Sequence, residues 1–275
     1  MTSPAFRRTA AVALLVVACA VRAQEAKLDA KSKELIDKAD AALAKAKSIS
    51  LVQKQRVFVV KDRVELTNER GPETAILAAR PSRFRVQQQG ETAEYTVSPG
   101  TEWVRYIKEA NAYQRKDVSK YDASVLYRAP QPLRLLRSRR GLVSLWLGGH
   151  SLRSLLPGQS IWYDGIKRLH GTLAHRIAAE AEGITYHLYL STTESALPLF
   201  FVGTGVRAIG RGAAQVRVEL AFEQWKLNPT LPEGAFAFTA PKGARQVSEL
   251  KGMGDVTEAD RAAWRLTDDP NVWGR

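Results

Sequence analysis

The residues best suited to chemistry in this sequence are its four histidines, His150, His170, His175 and His187, and the carboxylates that would have to serve them. His170 and His175 are five positions apart, which sends them to opposite faces of a continuous strand and out of register on a helix. No His-Glu-x-x-His pattern and no His/Cys cluster with zinc spacing occurs, so the histidines read as hydrogen-bonded or surface residues and not as metal ligands. No Gly-x-Ser-x-Gly elbow marks an activated serine. The Gly203-Thr204-Gly205 and Gly210-Arg211-Gly212 stretches lack the Lys-Ser/Thr of a phosphate loop and read as a turn or bulge region. Glu91 and Glu94 look like solvated loop carboxylates. Catalysis would need one of His170, His175 or His187 to meet a carboxylate in a cleft, a meeting that only the folded chain can bring about.

Around these residues the chain shows an exported layout. Arg7 and Arg8 precede an apolar run that ends at Val21, followed by Arg22-Ala23-Gln24, which is the pattern of a secretory leader and too short for a membrane span. Residues 1–23 are expected to be removed, giving a periplasmic protein. Val16-Val17-Ala18-Cys19 also fits a relaxed lipobox, and a lipid anchor through Cys19 is the alternative. Cys19 is the only cysteine, so the mature domain carries neither a disulfide nor a thiol nucleophile. The net charge of +13 draws in polyanions, an anionic membrane surface included. Export argues against nucleic acid as a partner.

Two kinds of element are expected. Leu35, Ile36, Ala39, Ala42, Leu43 and Ala46 recur at helical steps, predicting an amphipathic helix over residues 28–46. Strict alternation then predicts antiparallel strands. Val216, Val218, Leu220 and Phe222 share one face, with Arg217 and Glu219 on the other. Ile184, Tyr186, Leu188 and Leu190 repeat the pattern. Residues 133–156 break it with a leucine-rich, arginine-edged stretch whose spacing predicts two short helices lying on something apolar. Domain limits are placed at residues 24–250, with residues 251–275 as a linker and a short helix or tail.

The order of "AARPSRFRVQ" at 78–87, "SPGTEWVRYIKEANAY" at 98–113 and "GAFAFTAPKGARQV" at 234–247 resembles the LolA/LolB-like periplasmic superfamily. It is most similar to that superfamily's less characterised exported branch, in which a W-x-x-NP-x-LP stretch leads into a final strand. The resemblance implies an α+β fold, an incomplete antiparallel β-barrel or half-barrel with helices covering the concave face. It also implies a role in carrying or sensing acylated ligands, and a final strand at the "GAFAF" stretch with Phe236 and Phe238 packed inward.

Matched positions make Arg80, before Pro81, a candidate latch that hydrogen-bonds the lid's backbone carbonyls, and make Trp103 and Tyr106 candidate cavity residues. Leu142, Leu145 and Trp146 are candidate lid residues on periodicity alone. The expected function is a non-enzymatic binding protein for a lipid or acylated lipoprotein, acting without a cofactor in envelope lipid or lipoprotein trafficking. The alternatives are an interaction or sensor module that meets an envelope protein through its basic surface and tail, and an envelope hydrolase.

Overall fold

A computed structural model describes residues 27–61, 64–90, 93–120, 141–158, 160–209, 212–248 and 250. The leader with Cys19, Glu91, residues 133–140 and the tail 251–275 lie outside the described residues. One curved, unclosed sheet dominates. Its strands are β1 (Lys27–Leu28), β2 (Ser48–Lys61), β3 (Val64–Arg70), β4 (Thr74–Ala79), β5 (Arg83–Gln88), β6 (Glu94–Ser98), β7 (Glu102–Ile107) and β8 (Ala112–Asp117). The chain then supplies β9 (Ser160–Leu169), β10 (Thr172–Ala181), β11 (Ile184–Ser191), β12 (Pro198–Ile209), β13 (Gly212–Leu227) and β14 (Arg245–Gln246). Across the sheet the order is β1-β9-β10-β11-β12-β13-β2-β4-β5-β6-β7-β8-β14. All pairings are antiparallel except the short ones of β1 with β9 and β14 with β8. β2 forks the sheet: its first half pairs with β4 and its second half with β3.

The expected alternation holds where it was strongest. Val216, Val218, Leu220 and Phe222 of β13, with Tyr186, Leu188 and Leu190 of β11, bury one face of the sheet. On that face lie α1 (Ala30–Lys45), α2 (Gly141–Leu147) and a 3-10 turn (Leu152–Leu155). Leu35, Ile36, Ala39 and Leu43 of α1 join Leu142, Val143, Leu145 and Trp146 of α2 and the strand residues in a single core. The predicted helix over 28–46 is therefore α1, trimmed at both ends. The predicted helical pair is α2 and the 3-10 turn over the part of 133–156 that is described.

Two expectations need correction. Gly203, Thr204 and Gly205 sit inside β12, paired with β11 and β13 on either side, and not in a turn. The "GAFAF" stretch is not a strand. It forms turns, held by Ala235 N–H donating to Pro232 O (3.1 Å) and Ala237 N–H to Gly234 O (2.9 Å). Phe236 and Phe238 lie on the face opposite the helices, Phe236 with Val97, Val104 and Ala79, and Phe238 against the rings of Tyr95, Tyr106 and Tyr113. The proline-flanked stretch cannot supply a regular hydrogen-bond ladder, so its aromatic side chains attach it as a strap.

Asp29 ties the start of α1 to the sheet. Its Oδ1 accepts the N–H groups of Lys31 and Ser32, each at 3.0 Å, and its Oδ2 accepts the Ser32 hydroxyl at 2.6 Å and the N–H of Tyr163 on β9 at 2.7 Å. Burial opposes its charge, but the hydrogen bonds from Ser32, Tyr163 and Lys31 outweigh that cost and hold the carboxyl below its ordinary range. Asp29→Ala is therefore expected to lower stability by about 1–2 kcal/mol at neutral pH in urea titrations. A depressed folded-state pKa stabilises above the unfolded value of about 3.9 and loses that effect as pH falls through the lower folded value, so the two proteins should converge in acid.

Candidate functional site

On the helix face, Trp146 is the centre of a seam between α1, α2 and the sheet. Its indole Nε1 donates to the carbonyl of Leu43 at 2.8 Å. That carbonyl belongs to the last turn of α1, whose C=O groups have no partner within the helix. Arg80, just after β4, donates through Nη2 to the carbonyl of Trp146 at 3.3 Å, and its guanidinium lies 5.0 Å from the centroid of the Trp146 ring. Asp40 of α1 accepts the N–H of Leu152 at 2.9 Å, and burial raises its carboxyl above the ordinary value against that bond. A small cavity of about 230 Å³ opens here, bounded by Asp40, Leu43, Arg80, Trp146, His150 and Ser151.

Of the candidate residues, Arg80, Leu145 and Trp146 come together at this seam, and Leu142 lies on the same helix, buried in the core. Trp103 shares that face, packed edge-on to Phe84 with centroids 6.0 Å apart. Tyr106 does not join them. Three residues from Trp103 on one strand, it points to the other face, where its ring lies tilted against those of Tyr95 and Phe238 and its hydroxyl donates to Asn111 Oδ1 at 3.1 Å.

The face opposite the helices holds a larger recess, of about 480 Å³. Its shape follows from one contact. His170 Nε2 lies 2.7 Å from Glu219 Oε2, although three strand spacings separate β10 from β13. In a flat sheet those strands stand about 14 Å apart, so the β9–β10 hairpin tip must curl over this face. The tip is a two-residue turn at His170 and Gly171, with φ of 47° and 84°, as a type I′ hairpin requires. Beneath it Ala174, Tyr189, Phe200 and Val202 form a small second core.

Glu219 is only 3% exposed, and its charge is met by Arg217 and by His170. The carboxylate fixes the Nε2 side of the imidazole, and among the described residues no hydroxyl is paired with its Nδ1. At the other end of the recess a bulge places Gln224 at φ 55°, outside the usual range for a residue with a side chain, and re-aims Trp225. Trp225 Nε1 donates to Pro198 O at 2.8 Å. The sequence places Arg217 and Glu219 on the wetter face and His170 among the histidines that could meet a carboxylate, but carries no signal that Glu219, 49 positions away, is that partner, and none of the bulge.

His175 and Glu94 are paired within the sheet. His175 Nδ1 lies 3.0 Å from the Tyr163 hydroxyl. Glu94 takes a two-point contact from Arg105, at 2.6 and 3.0 Å. Among the described residues no group of three or more His, Cys, Asp or Glu side chains is arranged to hold a metal ion. No described helix is long and apolar enough to cross a membrane.

His187, on the same face as the recess, is pushed down to about 4 by burial first and by the charges of Arg176 and Arg217 second, with Asp164 opposing. The folded protein thus keeps it neutral where the unfolded chain protonates near 6.5, and stability is lost as pH falls from about 6.5 to 4. After allowance for partial solvent exposure this amounts to about 2 kcal/mol. His187→Gln is expected to flatten that part of the curve, as measured by denaturant midpoints across pH.

A family model described as a predicted periplasmic protein, DUF2092, matches residues 32–249. No curated protein matches the chain. Similar solved structures include an uncharacterised conserved protein from Thermus thermophilus, with TM-score 0.39 and 15% identity, covering 79% of this chain and 98% of that one. LprF from Mycobacterium bovis aligns with TM-score 0.37 and 11% identity over 74% of this chain and 97% of that one. The LolA superfamily protein NE2245 from Nitrosomonas europaea aligns with TM-score 0.31 and 8% identity over 75% and 97%.

Proposed function

The chain belongs to the DUF2092 family of predicted periplasmic proteins, and on that premise we propose that it is an exported, non-enzymatic binding protein that shelters a lipid or acylated ligand between α2 and the sheet. The observation that carries this reading is the seam at Trp146. Polar contacts hold α2 in place there, from Arg80 to the Trp146 carbonyl and from Trp146 to the Leu43 carbonyl, beside a cavity already open to about 230 Å³.

The rest of the α2 contact is apolar, through Leu142, Val143, Leu145 and Trp146. An acyl chain offers the same kind of surface, at about 0.8 kcal/mol per buried methylene, and can replace α2 against the strands once the latch is released. Helices that cover the concave face and move off it as a lid are part of this proposal, with Arg80 as latch and Trp103 at the far side of the same apolar face. The basic surplus of the chain would hold it near anionic membrane surfaces, where such ligands are found.

The hydrolase alternative gains one observation, the meeting of His170 with Glu219 in a recess, where among the described residues no hydroxyl stands paired with the imidazole as an acyl-transfer nucleophile would. The interaction-module alternative rests on the basic surface together with residues 251–275, which lie outside the described residues.

The full chain, expressed with its leader and purified from the periplasm, is expected to carry extractable acylated molecules in native mass spectra. Leu145→Asp and Trp146→Asp should abolish that bound mass while circular dichroism still reports the sheet. Arg80→Ala should speed uptake and release of a fluorescent fatty acid about 10- to 150-fold, the effect of one lost charged hydrogen bond. Bound lipid unchanged in both aspartate variants would overturn the assignment.

A further inference from the structure

The recess on the face opposite the helices plays no part in the lipid site beneath α2, and its contacts are those of a built site. We infer that it binds a short amphiphilic carboxylate, with the acid group on Arg56 and the apolar part on Trp225 and Phe200. The inference stands whether or not α2 opens.

Charge decides the head group. Glu219 is held by Arg217 and His170. Glu223 shares Lys54 with Glu73, at 2.8 and 3.1 Å. Arg56 stands directly across the ladder from Glu219 on the same face, yet its natural partner is already taken, and it makes no ion pair among the described residues. It lines the recess partly buried, where a guanidinium gains more from a partner than in open water. A fork of parallel N–H donors suits a planar carboxylate in a two-point contact. A cationic head would be repelled by Arg56, and Glu219 beside it is already held by Arg217 and His170.

Shape decides the tail. Leu197, Leu199, Phe200 and Trp225 form an apolar wall beside the polar side of the recess. The Trp225 ring is fixed there by its hydrogen bond to Pro198 and by the strained bulge at Gln224. Such strain persists only where surrounding structure enforces it, and it collects at ligand sites. A volume of about 480 Å³ lies within the range of small-molecule sites and favours a short chain or single ring over a diacyl lipid.

The test is calorimetric titration of the full chain, stripped of bound lipid, with octanoate, octanol and octylammonium. Octanoate is expected to bind, octanol more weakly, and octylammonium not at all. Arg56→Gln should weaken octanoate at least about tenfold and erase its advantage over octanol, while Arg56→Lys retains part of that advantage. Trp225→Ala should weaken octanoate and octanol alike. Trp146→Asp, which removes the site beneath α2, should leave octanoate binding unchanged. The inference is overturned if the three probes bind equally, if Arg56→Gln binds octanoate as the parent does, or if Trp146→Asp abolishes binding that Arg56→Gln retains.

Discussion

The ladder between β2 and β13, from Ile49 opposite Leu227 to Val60 opposite Gln215, is the constraint on which both faces of the molecule depend. It joins the strands that precede α2 in the chain to those that follow it, since β4 to β8 hang from one side of β2 and β9 to β12 from the other side of β13. Its register decides which residues face the helices. Val57 and Val59 fall in line with Val218 and Val216, and Arg56 falls opposite Glu219. A slip of one residue would turn Glu219 into the core and Leu220 and Phe222 into solvent, so the apolar pattern fixes the register with little tolerance.

That single choice explains why the two faces differ in character. The helix face is closed by apolar packing, with Trp146 and Leu145 almost fully buried and Trp146 anchoring the end of α1. The opposite face is held by charge and by aromatic rings. Arg217, Glu219 and His170 clamp the curled hairpin, while Phe236 and Phe238 strap the strands beyond β4. His187, kept neutral by the same surroundings, makes this face the more acid-sensitive of the two.

What could be read in the sequence was what repeats locally. The stripe of α1 and the alternation of β11 and β13 carry their period in the chain, and both elements form where that period predicts. The contacts that shape the recess have no such signature. His170 reaches Glu219 only because a hairpin bends over three strands, and a bend leaves no period behind. Gly203 and Gly205 look like turn residues in isolation, but long pairing on both sides draws them into β12. The "GAFAF" stretch alternates as a strand would, yet the prolines before it deny it a ladder. A motif marks Arg80 and periodicity marks Trp146, and their contact spans 66 positions that no local pattern could bridge.

At the two ends of its strand order the unclosed sheet is finished by a parallel strand of two residues, β1 against β9 and β14 against β8, while β3, paired only with β2, leaves a third edge. So short an addition offers an incoming chain almost no continuous row of amides to extend. Inboard of β1, Gly165 at φ 82° interrupts β9, and Lys167 and Arg168 add charge to it. These features blunt strand-by-strand polymerisation at the two ends of an open sheet.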